Sequence, residues 1–195
     1  MAVEPNTIDY AMLANALAFY TQRGYTYKEV PWVVSSAATN VTLPIDRTAA
    51  QVSYGDLVGS AEQSFIELLI RQQKLGKHCA ITPCFRDEDE YDDLHHAYFM
   101  KCELFNSDAT PENLQQMITD AVDFFRQYLP VTVITTEIGY DIMAGDIELG
   151  SYGFRKFHNT QFVYGTGCAL PRLSTVMQKQ GMKEAAYLPP RFASK

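Results

Sequence analysis

Apolar residues recur every three or four positions in three stretches of the chain, and this spacing predicts amphipathic helices. The first helix is predicted to begin at a cap on Asn6 or Thr7 and to stop at Gly24. The second is predicted to begin with the capping box of residues 60–63 and to end at Gly76. The apolar positions of these two helices include Ile8, Met12, Ala16, Phe19, Tyr20, Phe65, Leu68, Leu69 and Leu75.

The third helix is predicted to begin at Thr110, because threonine caps helices and a proline follows it at the first helical position. Two strands are predicted from their β-branched and aromatic residues. The strand at residues 25–34 contains Pro31, which places it at a sheet edge or a bulge. The strand at residues 131–138 is β-branched throughout and is expected to be buried on both faces. Residues 40–55 are expected to form a loop or a short hairpin.

A central hairpin is predicted at residues 80–86 and 98–105, where β-branched and aromatic residues flank a polar loop. Side chains two residues apart share a strand face, so Arg86 and Glu88 are expected to point the same way. A guanidinium can hold a phosphate, a carboxylate can accept from an amino group, and an aromatic ring can stack on a base. The hairpin therefore contains the components of a nucleoside triphosphate site. On the returning strand, one face is predicted to carry Phe99, Lys101 and Glu103. The other face is predicted to carry Met100, Cys102 and Leu104.

A second hairpin is predicted at residues 140–155. A two-residue turn at residues 144–145 would place Asp141 opposite Glu148. Two carboxylates in that position destabilise a sheet unless a cation lies between them, so a divalent metal or a basic side chain is expected there. The alternative is a solvent-exposed acidic hairpin with Arg155 as its ion-pair partner.

A glycine-containing strand that leads into a helix is predicted at residues 164–173. Glycines permit close approach of the backbone to a ligand, and Arg172 in the first helical turn can reach a terminal phosphate. This segment is therefore a second candidate contact for a phosphate group.

These segments together resemble the class II aminoacyl-tRNA synthetases, most nearly the aspartyl, asparaginyl and lysyl subgroup and the related ammonia-dependent asparagine synthetase. Residues 84–105 resemble motif 2 and residues 164–173 resemble motif 3, while the first helix and strand resemble motif 1. The acids Asp141 and Glu148 precede motif 3 at a spacing similar to that in the family. The resemblance implies an α+β fold with a mixed, mostly antiparallel sheet flanked by helices, and a homodimer formed through motif 1.

The resemblance also implies a reaction in which an amino acid and ATP give an aminoacyl-adenylate and pyrophosphate. A solvated pair without a role is the alternative for His95 and its neighbour His96. The implied ATP contacts are Arg86 on the α-phosphate, Arg172 and His95 on the γ-phosphate, and Phe99 and Glu88 on adenine.

Metal and substrate contacts are implied in the same way. Gln63 has an alternative role, which is to cap its own helix by reaching back to Ser60. Ile66 stands where aspartyl enzymes place a lysine that meets the substrate carboxylate, which favours a neutral or different side chain. Tyr152 replaces a usual glycine, so the amino acid pocket is expected to be smaller or differently shaped. The implied contacts are Asp141 and Glu148 for magnesium, and Gln63, Ser151 and Arg155 for the amino acid.

Composition limits the partners of the protein. A chain of 195 residues with 47% hydrophobic content predicts one catalytic domain over residues 1–195. A net charge of −7 argues against a broad nucleic-acid surface, so DNA is not expected and tRNA is an unfavoured partner.

The four cysteines form no Cys-x-x-Cys pair and are expected to be buried and reduced. No signal peptide or apolar run of about 18 residues is present, which predicts a cytoplasmic protein without membrane contact.

Three functions remain open at this point. The chain has no room for an anticodon-binding barrel of roughly 100 residues, which favours a stand-alone ligase acting on an Asp-like or Asn-like amino acid and a non-tRNA acceptor. A minimal synthetase that charges tRNA is the second possibility, and the acidic charge argues against it. A non-catalytic regulatory or binding subunit is the third. The presence of both arginines and both acids argues against that role.

Overall fold

The computed structural model describes residues 7–182, which form a large sheet, a small sheet and flanking helices. In chain order the elements are α1 (Tyr10–Gln22), β1 (Thr26–Tyr27), β2 (Val33–Val34), α2 (Ser36–Thr39), β3 (Gln51–Val52), β4 (Gly55–Leu57), α3 (Ala61–Ile70), β5 (Lys77–Phe85), β6 (Tyr98–Asn106), α4 (Pro111–Phe125), β7 (Thr132–Thr135), β8 (Tyr140–Ala144), β9 (Ile147–Phe157), β10 (Thr160–Leu170) and α5 (Arg172–Lys179).

The large sheet has the strand order β1-β5-β6-β10-β9-β8-β7, and the small sheet has the order β2-β4-β3. Neighbouring strands of the large sheet are antiparallel except β1 and β5, which are parallel. The predicted α+β fold with a mixed, mostly antiparallel sheet flanked by helices is therefore confirmed.

The two faces of the large sheet have different environments because alternate side chains of a strand point to opposite sides. On one face, Cys102 and Leu104 of β6 pack with the apolar stripes of α1 and α4 in the main core. On the other face, Phe105 packs with Phe65 of α3, their ring centroids 4.6 Å apart. Helix α3 and the small sheet cover only part of this second face. Its remaining part, around Lys101 of β6 and Thr166 of β10, forms the floor of two cavities.

The helix ends differ from the predictions where capping groups compete. Helix α1 is capped by Asp9, whose Oδ1 accepts from the backbone N–H of Met12 at 2.9 Å, so the predicted cap at Thr7 is wrong, and the alternative, Asn6, lies outside the described residues. Gly24 follows the helix with a φ of +83°, in agreement with the predicted stop. Helix α3 starts after Ser60 as predicted but ends at Ile70, because Gln72 takes a φ of 57° well before Gly76.

Helix α4 agrees with its sequence signals. Thr110 Oγ1 accepts from the backbone N–H of Asn113 at 3.2 Å, and Pro111 occupies the first turn. Its apolar residues, including Met117 and Phe125, are buried in the main core. The four cysteines are buried and unpaired, as predicted. Among residues 7–182, no helix combines the length and the apolar character needed to span a bilayer.

Two of the predicted strands differ from the structure. The segment at residues 25–34 divides into β1 and β2, which lie in different sheets on either side of Pro31. The segment at residues 131–138 contributes only β7, which is an exposed edge strand and not a strand buried on both faces. Val133 and Ile134 of β7 are 43% and 45% exposed. A β-branched run favours a strand in either place, and the neighbouring strands decide its burial.

The central hairpin is confirmed. Strands β5 and β6 pair antiparallel, with Thr82 opposite Lys101 and Cys84 opposite Phe99. The alternation on β6 is as predicted, because Cys102 and Leu104 lie in the main core while Lys101 and Glu103 line a cavity.

The predicted register of the second hairpin is wrong. Strands β8 and β9 pair with Ala144 opposite Ile147, so the turn lies one residue later, at Gly145 and Asp146. Gly145 has a φ of +62°, a conformation that glycine adopts at the first position of a two-residue turn. A register irregularity after Ile142 then shifts the pairing again. Asp141 therefore lies opposite Ser151, and Met143 lies opposite Glu148.

Candidate active site

Two cavities lie side by side on the second face of the large sheet. The smaller has a volume of about 60 Å³, and the larger has a volume of about 480 Å³. They share the wall residues Arg86, Glu88, Lys101, Glu148 and Thr166, so a ligand in one cavity would border a ligand in the other. These residues come from the β5–β6 hairpin and from β9 and β10.

The smaller cavity contains all five residues expected to contact ATP. Arg86 and Glu88 follow β5, and both line this cavity. The guanidinium of Arg86 lies 5.1 Å from the centroid of the Phe99 ring, and its Nε donates to the carbonyl oxygen of Gly59 at 3.3 Å. A flat group stacked on Phe99 would thus have Arg86 beside it.

Arg172 closes the opposite wall of the smaller cavity at the start of α5. Its Nη2 donates to the carbonyl oxygen of Leu94 at 3.3 Å, and its Nη1 donates to that of Glu148 at 3.5 Å. Burial lowers the pKa of Arg172, although the nearby Glu148 carboxylate opposes that shift. Arginine nevertheless stays protonated at neutral pH. The side chain therefore joins the β5–β6 loop to β9 while remaining a cation.

His95 lies in the β5–β6 loop and is held by Asp92. Asp92 Oδ1 accepts from the backbone N–H groups of Leu94 and His95 at 2.7 Å each, and it lies 2.9 Å from His95 Nδ1. The backbone bond from Leu94, together with the bonds from His95, lowers the pKa of Asp92 to about 2. The ring of His95 thus has a fixed position on the wall of the smaller cavity.

Gln63 lines the larger cavity, but both ends of its amide have partners in the protein. Its Oε1 accepts from the backbone N–H of Gly59 at 2.7 Å, and its Nε2 donates to Thr42 Oγ1 at 2.8 Å. The side chain therefore reaches back past the start of its helix, to Gly59 and not to Ser60. Ser60 Oγ instead donates to Glu103 Oε2 at 2.7 Å.

Arg155 and Ser151 of β9 also line the larger cavity, as the resemblance implies. Arg155 Nε donates to Glu62 Oε1 at 2.5 Å, and the guanidinium lies 4.9 Å from the ring centroid of Tyr164. Glu62 is 5% exposed, and burial raises its pKa to about 7 even though Arg155 acts in the opposite direction. Glu62 was not assigned from the sequence, because its partner lies in a distant strand.

A second ion pair on the cavity floor was also not assigned. Lys101 Nζ lies 3.0 Å from Glu103 Oε1, and both residues are buried. The sequence could have indicated this pair, because Lys101 and Glu103 are two residues apart on the same face of β6 as Phe99. Lys101 lines both cavities.

The two acids assigned to magnesium lie on the same face of the sheet. Asp141 and Met143 share a face of β8, and they lie opposite Ser151 and Glu148 of β9. Glu148 lines both cavities, whereas Asp141 is not among the residues lining either of them. Within residues 7–182 no group of three or more His, Cys, Asp or Glu side chains is arranged to hold a metal. Mg²⁺ commonly uses one or two carboxylates with waters and substrate phosphates, and Glu148 is the acid of this pair that lines the cavities.

Tyr152 does not shape the amino acid pocket, contrary to the expectation from the sequence. Its side chain is fully buried in the main core, on the other face of the sheet, and its hydroxyl donates to the carbonyl oxygen of Thr166 at 2.5 Å. A Cβ on Gly165 would lie 2.3 Å from the Tyr152 ring, and one on Gly167 would lie 2.8 Å from the Tyr20 ring. These glycines therefore make room for core side chains.

Comparisons with known proteins support the fold. No protein-family model and no curated protein sequence matches this chain. In structure it is similar to seryl-tRNA synthetase from Pyrococcus horikoshii, solved with ATP, with a TM-score of 0.70 and 18% identity over 86% of this chain and 49% of that chain. The chain thus spans about half the length of that synthetase.

Two structures of pyrrolysyl-tRNA synthetase from Desulfitobacterium hafniense are also similar. Their TM-scores are 0.68 and 0.66, their identities are 17% and 18%, and the matches cover 91% and 89% of this chain and 73% and 70% of those chains. None of these structures supports the aspartyl, asparaginyl and lysyl subgroup, which stays a prediction. The likeness concerns the fold, and residues 7–182 have the fold of the class II aminoacyl-tRNA synthetases.

Proposed function

We propose that this protein uses ATP to activate an amino acid as an aminoacyl-adenylate. The observation that carries the proposal is the environment of Arg86 and Arg172, which line the smaller cavity. Their hydrogen bonds go to backbone carbonyl oxygens, and within residues 7–182 neither makes an ion pair with a carboxylate. Two cations that keep their charge in one small cavity are suited to a polyphosphate.

The proposed reaction requires alignment and charge neutralisation and needs no general base. The carboxylate of the amino acid is already ionised and attacks the α-phosphorus, and pyrophosphate leaves. Arg86 would neutralise the α-phosphate and Arg172 the γ-phosphate, with His95 beside it. Adenine would stack on Phe99 while Glu88 accepts from its amino group.

Glu148 and Asp141 would hold magnesium, which would neutralise part of the phosphate charge. Glu148 fits this role because its side chain lies on the wall shared by the two cavities. Asp141 lies on the same sheet face and would be the second ligand. The seryl-tRNA synthetase with the same fold was solved with ATP, which supports ATP as the nucleotide.

The amino acid would occupy the larger cavity, with its carboxylate near the shared wall. Gln63, Ser151 and Arg155 line that cavity and would surround the amino acid. Its side chain would be Asp-like or Asn-like, since Arg155 lies where the resembling enzymes read such side chains. The activated acyl group would then pass to ammonia or another small acceptor.

The proposal is tested by the exchange of labelled pyrophosphate into ATP. The protein is incubated with ATP, magnesium and each of the twenty amino acids in turn. We expect exchange that depends on the amino acid, with asparagine or aspartate among the best substrates. No exchange above background with any of them would remove the enzymatic function and favour a regulatory or binding subunit.

A further inference from the structure

The charge of Arg155 is already matched inside the larger cavity. Arg155 Nε is 2.5 Å from Glu62 Oε1, and the Glu62 side chain is 6% exposed. Within residues 7–182 neither side chain makes another hydrogen bond. Both Nη groups of Arg155 and Oε2 of Glu62 can therefore form hydrogen bonds with a ligand.

A second matched pair lies next to the first. Lys101 and Glu103 are joined by contacts of 2.9 and 3.0 Å on the cavity floor. Glu103 also accepts from Ser60, which precedes Glu62 on the same wall. The cations and the acids around the substrate side chain therefore compensate one another.

A substrate carboxylate at Arg155 would meet the carboxylate of Glu62 in a partly buried site, where like charges repel strongly. A primary carboxamide fits the same place, because it carries an oxygen acceptor beside two N–H donors. Its oxygen can accept from an Nη group of Arg155, while its amide donates to Oε2 of Glu62.

We propose that Glu62 determines substrate specificity by neutralising Arg155, and that the larger cavity selects an amino acid with a carboxamide side chain over its carboxylate counterpart. This inference rests on the proposed function for the place of the amino acid. It assigns to the site a residue that the sequence resemblance does not include. Arg155 acts here as half of an ion pair and not as a free cation.

Calorimetric binding of amino acids tests the inference independently of catalysis. At pH 8, where the Glu62 carboxylate is mostly ionised, L-asparagine, L-glutamine, L-aspartate and L-glutamate are titrated into the protein and into Glu62→Gln. The wild-type protein is expected to bind an amide at least about tenfold more tightly than the matching acid. In Glu62→Gln, the uncompensated Arg155 is expected to shift this preference toward the acid by about tenfold or more.

Glu67→Gln is the matched control. Glu67 lies in the same helix, is 6% exposed and pairs with Arg71, but it does not line the larger cavity. This variant should retain the amide preference. A wild-type preference for the acids, or the same shift in Glu67→Gln, would overturn the assignment.

A second measurement on the wild-type protein covers the case in which Glu62→Gln does not fold. Burial raises the pKa of Glu62 to about 7, so lowering the pH from 8 to about 6 should protonate it and imitate the variant. The charged and titratable groups that face Glu62 are Arg155, Lys101, Glu103 and Tyr164. The ratio of aspartate to asparagine affinity should rise as the pH falls, and a ratio that stays flat would contradict the inference.

The two proposals fail in different ways. Selective amide binding without pyrophosphate exchange would remove the catalytic function and retain the specificity of the site. Exchange with aspartate as the preferred substrate would retain the catalytic function and remove the role of Glu62.

Discussion

The cations of the candidate site are of two kinds. Arg155 and Lys101 make short contacts with the buried carboxylates of Glu62 and Glu103. Arg86 and Arg172 donate only to backbone carbonyl oxygens within the described chain. A carbonyl oxygen orients a guanidinium but leaves its net charge uncompensated, so these two arginines can neutralise an anionic ligand.

Removing either uncompensated arginine should therefore impair the reaction much more than the fold. Arg86→Gln and Arg172→Gln are each expected to lower kcat/KM for pyrophosphate exchange by about 100-fold or more, since each removes a charge that stabilises phosphate in the transition state. Steady-state exchange kinetics measure this effect. The control is Arg126→Gln, at an exposed arginine that ends α4 and lines neither cavity. Equal losses in all three variants would contradict these roles.

Glu62 should also affect stability, because burial raises its pKa from 4.5 to about 7. The folded protein then binds this proton more tightly than the unfolded chain. This proton binding stabilises the folded protein by roughly 3 kcal/mol below pH 4.5. The stabilisation is lost as the pH rises toward 7. Denaturant unfolding at several pH values should show this decrease in the free energy of unfolding for the wild-type protein.

This decrease in the free energy of unfolding with rising pH should be absent in Glu62→Gln, because glutamine has no proton to lose. The control variant Glu67→Gln should retain the decrease. Although burial raises the pKa of Glu67, hydrogen bonds from Ser35 and Arg71 lower it overall, so its own contribution has the opposite sign. A slope that persists in Glu62→Gln would show that another group titrates.

At the scale of elements, the β5–β6 loop forms the wall of the smaller cavity that faces α5. Arg172 donates to Leu94 in this loop, and Arg47 donates to Asp89 and to the carbonyl oxygen of Asp87. One carboxylate oxygen of Asp92 accepts hydrogen bonds from the backbone N–H groups of Leu94 and His95, and these bonds hold the loop together. The position of His95 therefore depends on its hydrogen bonds to Asp92, next to Leu94, which packs against the main core.

Replacing Asp92 with alanine should displace His95 and weaken ATP binding. The variant loses the acceptor of three contacts, and we expect the dissociation constant for ATP to rise about three- to tenfold. Calorimetric titration with ATP measures it. Since the pKa of Asp92 is lowered to about 2, its carboxylate is ionised throughout the pH range of the titration. Asp93→Ala is the neighbouring control, and an unchanged affinity in Asp92→Ala would mean that His95 contributes nothing.

How far the sequence predicted these elements depends on the range of the interactions. The faces of β6 were predicted correctly because strand alternation is local, and the cap at Thr110 is equally local. The turn between β8 and β9 lies one residue later than predicted, and Asp141 pairs three residues away from its predicted partner, because a glycine turn and an irregularity are not specified by alternation. The edge position of β7 and the pairing of Glu62 with Arg155 depend on distant segments. No local pattern contains that information.

At the scale of the whole molecule, the charge distribution bears on the acyl acceptor. The chain carries 16 lysines and arginines against 23 aspartates and glutamates. Several of the cations in residues 7–182 are already paired with acids. A tRNA acceptor would require several free cations on the surface, because phosphate contacts dominate the affinity of proteins for nucleic acids. The proposed acceptor is for this reason a small amine.

We therefore predict that the protein does not bind total tRNA at physiological salt, and that it consumes ATP faster when ammonia accompanies the amino acid. Ammonia is small enough to reach the acyl carbon at the wall shared by the two cavities, where it would release AMP from the adenylate. Filter binding measures the first part, and AMP formation with and without ammonium chloride measures the second. Potassium chloride at the same ionic strength is the control for the added salt. Tight tRNA binding, with a dissociation constant of about 1 µM or below that weakens steeply with salt, would instead favour a minimal synthetase that charges tRNA.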